Sequence, residues 1–297
     1  MKKVSIVLPV YNGASYVAEA IKSVMNQTYK NWELIIVNDC STDNTLEICE
    51  KLAKQDKRIM VLSNDYNMQL PNTLNVGFSM ATGDYYTWTS DDNLYKPKAI
   101  EVLVKAFHDN QKAVMIYGDF TRIDTVGNIV GEEKLPEPKY LVEGNTCGAY
   151  FMYTADVAKR VGKYDANLFL AEDYDYWVRI YRCGTIVHID ADYYLYRTHP
   201  GSLTETRRAA ISEATYQVLE KNFLALYCMA KRSNLKKDFL DAMLFFGETH
   251  IQDVREIVLD IAPWYRGYLL KSDIKRKLRT IAWCRKLNDI RKGMLHK

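Results

Sequence analysis

No stretch of this chain approaches the roughly 18 consecutive apolar residues that would cross a bilayer as a helix, so no membrane-spanning segment is expected. The run after Lys2 and Lys3, "VSIVLPV" at 4–10, stops after seven residues at Tyr-Asn-Gly. It has no small-residue cleavage site, so a signal peptide is not expected. Paired cysteines are missing too. The six are scattered at Cys40, Cys49, Cys147, Cys183, Cys228 and Cys284 without a C-x-x-C. That excludes a zinc ribbon or disulfide frame and fits free thiols in a reducing cytoplasm. An overall charge of +3 is too small to argue for nucleic acid. There is no internal repeat and no low-complexity tract.

What the chain does have is 297 residues, 48% of them hydrophobic, enough for one large domain or a domain with an appendage. Charge is unevenly spread. Residues 271–297 hold ten Lys/Arg against two Asp, a net +8, which leaves residues 1–270 at −5.

Short apolar runs alternate with helical periodicity. "VSIVLPV" (4–10) reads as a strand buried on both faces, and Tyr16, Val17, Ala20, Ile21 and Val24 follow at helical spacing. Further strands are expected at 32–39, 58–63, 84–89 and 113–120. Helices between them start at "STDNT", Pro71 and Pro97; the second closes near Gly83. This alternation predicts an α/β fold with a doubly wound, mostly parallel sheet. Ligands of such sheets bind beyond the carboxyl ends of the strands. Tyr11, Asp39 and the pair Asp91–Asp92 each follow a strand, so they should meet on one rim. Beyond residue 120 the pattern changes: a hairpin at 122–130, a helix from 171, short strands "TIVHI" and "YYLYR", then helical text from about Ala209.

"TWTSDDN" (87–93) is the odd stretch, because adjacent carboxylates repel and raise each other's pKa. Taken alone it suits a solvated turn before Pro97 as well as a site. Asp39 alone suits a turn or helix cap. The acids of "AEDYDYW" (171–177) suit the first turn of a helix.

Together and in this order, "VSIVLPVYNG", "ELIIVNDCSTDNT", "WTSDDN" and "AEDYDYW" resemble family 2 glycosyltransferases of the GT-A fold. The resemblance covers residues 1–205: a nucleotide-sugar-binding half at 1–120 and an acceptor-side half at 121–205, with residues 206–297 a helical extension. It implies a nucleotide-diphosphosugar donor, a divalent cation and inversion at the anomeric carbon, in enzymes that often build bacterial surface polysaccharide or lipopolysaccharide.

The residue types suit that chemistry. A diphosphate beside two carboxylates needs a cation between them, and oxygen ligands favour Mg²⁺ or Mn²⁺. By resemblance Asp92 is the metal ligand, with His199 of "YRTHPGSLT" (196–204) near metal or diphosphate, while Asp91 leans to the ribose or donor sugar. Asp39 accepts the uracil N–H, the "PVYN" segment with Pro9 packs the base, and Tyr11 stacks on it. Positions 38 and 40 depart from the commoner "DDGS" pattern: they hold Asn38 and Cys40. UDP is therefore expected, with dTDP (a rhamnosyl donor, for example) as the alternative. Arg197 could neutralise phosphate charge. Asp173 is the expected base, Asp175 its runner-up, with the helix macrodipole keeping both ionised. Glu172 and Trp177 are placed on the acceptor.

Other classes fit less well. An oxidoreductase wants G-x-G-x-x-G after the first strand, and "PVYNGAS" lacks it. Sugar-nucleotide synthesis wants a Gly-rich, basic loop there. A non-catalytic nucleotide-sugar-binding scaffold has no use for Asp173. The tail at 270–297 permits a basic amphipathic helix, for contact with the inner face of the cell membrane or for self-association.

Overall fold

The computed structural model describes residues 1–268. By compactness the chain divides into a unit of Met1–Ala242 and a second beginning at Met243. The basic tail expected at 270–297 lies outside the described residues.

The first unit is built on a seven-stranded sheet. In chain order its elements begin with β1 (Val4–Val10), α1 (Val17–Met25), β2 (Trp32–Asn38), α2 (Thr45–Ala53), β3 (Ile59–Ser63), α3 (Gln69–Ser79) and β4 (Tyr85–Trp88). β5 (Leu94–Tyr95), α4 (Ala99–Asp109), β6 (Ala113–Gly118), β7 (Phe120–Ile123) and β8 (Ile129–Glu133) follow. Then come β9 (Tyr150–Thr154), α5 (Ala155–Val161), α6 (Glu172–Cys183), β10 (Thr185–Ile189) and β11 (Tyr194–Arg197). Helices α7 (Leu203–Thr206), α8 (Arg208–Lys221), α9 (Phe223–Arg232) and α10 (Lys236–Phe246) complete the run, and the unit boundary falls within α10.

Strand order in the large sheet is β10-β6-β9-β4-β1-β2-β3. β1 pairs in parallel with β2 and β4, β2 with β3 and β10 with β6; β9 alone runs antiparallel, between β4 and β6. All seven residues of β1 are buried, as a continuous apolar run in a covered sheet requires. Helix α1 lays Val17, Ala20, Ile21 and Val24 onto the sheet, the i, i+3, i+4, i+7 stripe. These join Leu34, Ile36, Ile100, Leu103 and Met152 in the core.

Several local expectations shift. Pro71 is the third residue of α3 rather than its opener, in the first turn, where a missing N–H costs nothing. That helix ends at Ser79, and Gly83 serves another purpose. A Cβ there would lie 2.7 Å from Ser5 Oγ and 2.8 Å from the Lys3 carbonyl, so its bareness lets the chain cross β1. A second sheet, β5-β11-β7-β8, was not foreseen. Its strands are short, and β5 has only two residues, too few for periodicity to register. The 205/206 division also moves. α8 packs on α6 and α9 on the 3₁₀ turn Pro138–Val142, so the compact unit continues to Ala242.

In the second unit, α11 (Ile251–Ile261) buries Val254 and Val258 one turn apart. Among the described residues no helix is long and apolar enough to cross a membrane.

Candidate active site

The loops leaving β1, β2 and β4 meet on one rim. The Asp39 N–H donates to the Val10 carbonyl at 2.8 Å, and the Thr89 N–H to that of Val7 at 3.0 Å. The first two loops are clasped further. Asn12 Oδ1 accepts from the Thr42 N–H at 2.8 Å, the Asn12 N–H donates to Ser41 Oγ at 2.9 Å, and Asp43 accepts from the Ala14 N–H at 3.2 Å. Both turns use left-handed backbone, with φ +53° at Asn12 and +61° at Cys40.

Asp39 is buried, 4% exposed. Its Oδ1 accepts from Asn64 Nδ2 and from the Met68 N–H, each at 2.8 Å, and both bonds fall on that one oxygen. Tyr11 stands half exposed beside this turn, whereas Pro9 is buried within β1 opposite Val37.

The acidic doublet lies just past β4. Asp91 packs onto Gly13 so closely that a Cβ there would come within 1.8 Å of Asp91 Oδ2. Burial, then the neighbouring Asp92 charge, push Asp91 up to about 7. Burial also raises Asp92, opposed by a hydrogen bond between its Oδ2 and His199 Nε2 at 3.0 Å. The other oxygen, Asp92 Oδ1, is buried and has no partner. A buried carboxylate oxygen left bare is costly, and a site holding one calls for a ligand. Tyr16, just ahead of α1, supports this corner, its ring 5.3 Å from that of His199.

Across the rim, α6 begins with Glu172 and Asp173. Asp173 Oδ2 accepts from Asn145 Nδ2 at 2.7 Å, and its Oδ1 from the Tyr174 N–H at 2.7 Å. Burial raises both acids. Glu172 is 3% exposed, has a bare Oε2, and is pushed to about 8 by burial and the Asp173 charge. Asp173 moves up by burial, against the pull of the Asn145 bond. The helix macrodipole, expected to keep carboxylates here ionised, is opposed by desolvation, which raises both Glu172 and Asp173. The Tyr196 phenol feels both acidic corners: it is raised first by burial and further by the charges of Asp92 and Asp173.

Three expected site residues do other work. Trp177 is fully buried, edge-on to Phe151 with centroids 4.6 Å apart, and has no face to offer an acceptor. Asp175 is 0% exposed and spent on Arg179 (2.8 Å), Lys221 (3.0 Å) and Asn222 (3.3 Å). It fastens α8 to α6 and is no base. Arg197, 2% exposed, donates to the carbonyls of Asp92, Asp124 and Thr125 and to the Glu19 carboxylate, so its guanidinium is committed inside the protein. It cannot reach a diphosphate without abandoning them.

The sequence from residue 5 to 162 matches the family model for glycosyl transferase family 2. The chain belongs to that family. It is 28% identical to an uncharacterized glycosyltransferase of Haemophilus influenzae, over 97% of this chain and 98% of the relative. An uncharacterized glycosyltransferase of Rickettsia typhi is 30% identical over 90% of this chain and 81% of its own. Among solved structures, Staphylococcus aureus TarS 1–349 in complex with UDP-GlcNAc superposes with a TM-score of 0.62 at 18% identity, over 88% of this chain and 76% of that one. The GT-A fold expected from the motifs is therefore the fold found, and the protein is a glycosyltransferase.

The acidic doublet of this family 2 glycosyltransferase bears on its fit to a divalent cation. Among the described residues, no group of three or more His, Cys, Asp or Glu side chains forms a ready-made cage. What it offers is the bare Asp92 Oδ1 with His199 alongside. That suits Mg²⁺ or Mn²⁺, which bind through one or two protein groups and take their other ligands from phosphates and water. Two residues at the site went unforeseen. Gly13 read as part of an Asn-Gly turn, with nothing to show which side chain would cover it. Asn145, in a loop, had no neighbour in sequence that announced Asp173.

Proposed function

We propose that this glycosyltransferase moves a sugar, with inversion and with the help of a divalent cation, from a UDP-sugar to a hydroxyl of a glycan or lipid-linked acceptor. The observation that carries this reading is the buried, unpartnered Asp92 Oδ1 beside His199 and Asp91. Support for the donor comes from the similarity to TarS bound to UDP-GlcNAc and from Asp39, whose Oδ2 is left for a base N–H. A dTDP-sugar presents the same N–H and is the second donor of this reading.

In this reading Tyr11 stacks on the base, and the buried Pro9 stiffens the strand beneath it. Asp92 and His199 hold the cation, which when bound supplies Lewis-acid relief of the charge growing on the leaving diphosphate. Asp91 accepts from donor hydroxyls. The acceptor oxygen attacks the anomeric carbon from the face opposite the diphosphate. As that C–O bond forms, the bond to the diphosphate oxygen breaks, and Asp173 takes the hydroxyl proton. Tyr196 and the segment 198–204 border the same space, the Tyr196 hydroxyl meeting Thr204 Oγ1 at 3.0 Å, and help to exclude water that would compete with the acceptor.

A thermal-shift screen of UDP-, GDP- and dTDP-sugars with and without Mn²⁺ tests this. A true donor raises the melting temperature by mass action. The expected pattern is a shift with UDP-sugars that needs Mn²⁺. A shift with GDP-sugars alone, or one indifferent to the cation, counts against the reading.

A further inference from the structure

We propose that Asn145 is the positioning residue of the transfer reaction: its amide orients the Asp173 carboxylate and stabilises the charged form that takes the proton. The inference rests on the reading of Asp173 as the base. It begins from the geometry. Asp173 stands in a corner where burial favours its neutral form. Its neighbours along the chain offer little more: the Tyr174 N–H, fixed backbone, donates to Oδ1, and Glu172 is itself an acid whose charge opposes that of Asp173. Asn145 Nδ2, 2.7 Å from Oδ2, is the side-chain donor. A neutral amide can give a hydrogen bond to the carboxylate without taking its proton, so it stabilises the ionised form and fixes the plane of the group at once. A lysine there would do the first but would tie up the oxygen in an ion pair.

The groups that face Asp173 from neighbouring elements add no opposing help. Glu172 lies beside it on α6. Cys147 comes from the Asn145 loop, Tyr164 from the segment before α6 and Tyr196 from β11, and each of these three is raised in pKa in part by the Asp173 charge. In its ionised form every one of them is negative. The amide is thus the counterweight.

The donor is also held in place. The Tyr174 hydroxyl donates to the Leu141 carbonyl at 2.7 Å, which pins the chain just before Asn145 to the residue just after Asp173. Cys147, two residues on, is fully buried. Asn145 itself is exposed at the rim, so truncating it leaves no cavity.

The test is an NMR titration of the full chain labelled at aspartate ¹³Cγ, with the step lost in Asp173→Asn assigned to the Glu172–Asp173 pair. Interacting acids titrate as a pair, so the lower of the two midpoints is the one read. Asn145→Ala is expected to raise that midpoint by about one pH unit, the loss of one hydrogen bond to a charged acceptor, with Asn145→Ser in between. UDP binding in the presence of Mn²⁺ is expected to stay within about twofold, because Asn145 is on the far corner of the site. A midpoint unchanged in Asn145→Ala overturns the proposal, as does an equal change in UDP affinity, which would mark a merely structural role. Asp173→Asn that still transfers sugar would instead remove the reading of Asp173 and leave the titration result standing by itself.

Discussion

Arg197 donates its Nε–H to the main-chain carbonyl of Asp92 at 2.9 Å, across 105 residues of sequence. The same guanidinium reaches the carbonyls of Asp124 and Thr125 at 3.2 and 3.1 Å and Glu19 on α1 at 2.8 Å, while its plane lies 4.6 Å over the Tyr16 ring. One side chain therefore joins the acidic doublet, the β7–β8 turn and α1. An arginine suits this because its planar fork carries five donors.

Arg197→Ala should accordingly destabilise the protein by about 2 kcal/mol, since it removes a buried side chain and leaves the Asp92 carbonyl without its partner. Arg197→Lys should recover less than half of that, having no fork. Urea unfolding followed by circular dichroism measures both. If the alanine variant is as stable as the parent, the network is incidental.

Asp173→Asn should lower transfer by at least about a thousandfold while Mn²⁺-dependent UDP binding is kept. Asp92→Ala should lose both, because its bare oxygen is where the cation would sit. Calorimetric titration of UDP alongside a transfer assay separates the two. Substantial turnover by Asp173→Asn would mean another group takes the proton.

How much of this was legible beforehand follows from where the partners lie. Asp39 and Asp91–Asp92 were placed on one rim by a topological rule, which needs only strand ends and strand direction. Asp175 and Trp177 were read as site residues because most of the partners that bury them, Lys221, Asn222 and Phe151, are 46, 47 and 26 residues away in the numbering; only Arg179, four residues on from Asp175 along α6, was a local sign. Arg197 misled for a related reason. Its residue type suits phosphate, but its burial is set by Glu19 and the β7–β8 turn, which tertiary folding alone brings near.

The acids of α6 make a pH prediction. Glu172 titrates near 4.5 when unfolded and is pushed to about 8 in the fold. Between those values the native state holds a proton that the unfolded chain has released, so stability falls as pH rises through that window. Activity runs the other way, since the base works ionised. Glu172→Gln should flatten the loss of stability between pH 5 and 9, an effect on the order of 2 kcal/mol. Urea midpoints at the two pH values check it, and parallel slopes in parent and variant would refute the assignment.

Cys40 occupies the position where the commoner motif has glycine, and its φ of +61° explains that preference. A side chain in left-handed backbone costs about 1 kcal/mol. The thiol contributes a weak contact, 3.6 Å from the Asp65 carbonyl. Cys40→Gly should raise stability by about 0.5 kcal/mol, the relief of strain less the added chain entropy of glycine, and UDP affinity should hold. Differential scanning calorimetry would register a rise of a few degrees or less; a fall would show that the thiol contact outweighs the strain.

Gly13 offers the sharpest separation of site from scaffold. A methyl group there would meet Asp91 Oδ2 at 1.8 Å and Cγ at 2.8 Å, and on its other side Val10 Cγ2 at 2.8 Å. The valine is locked in the core of β1, so the carboxylate is the part that must give way. Overpacking of this kind costs about 1–3 kcal/mol, which a domain of this size can absorb. Gly13→Ala is thus expected to fold with a modestly lower melting temperature, yet to bind UDP with Mn²⁺ at least tenfold more weakly, because Asp91 is displaced and Asp92 moves with it. Affinity equal to that of the parent in a folded Gly13→Ala protein would mean that Asp91 plays no part in holding the donor.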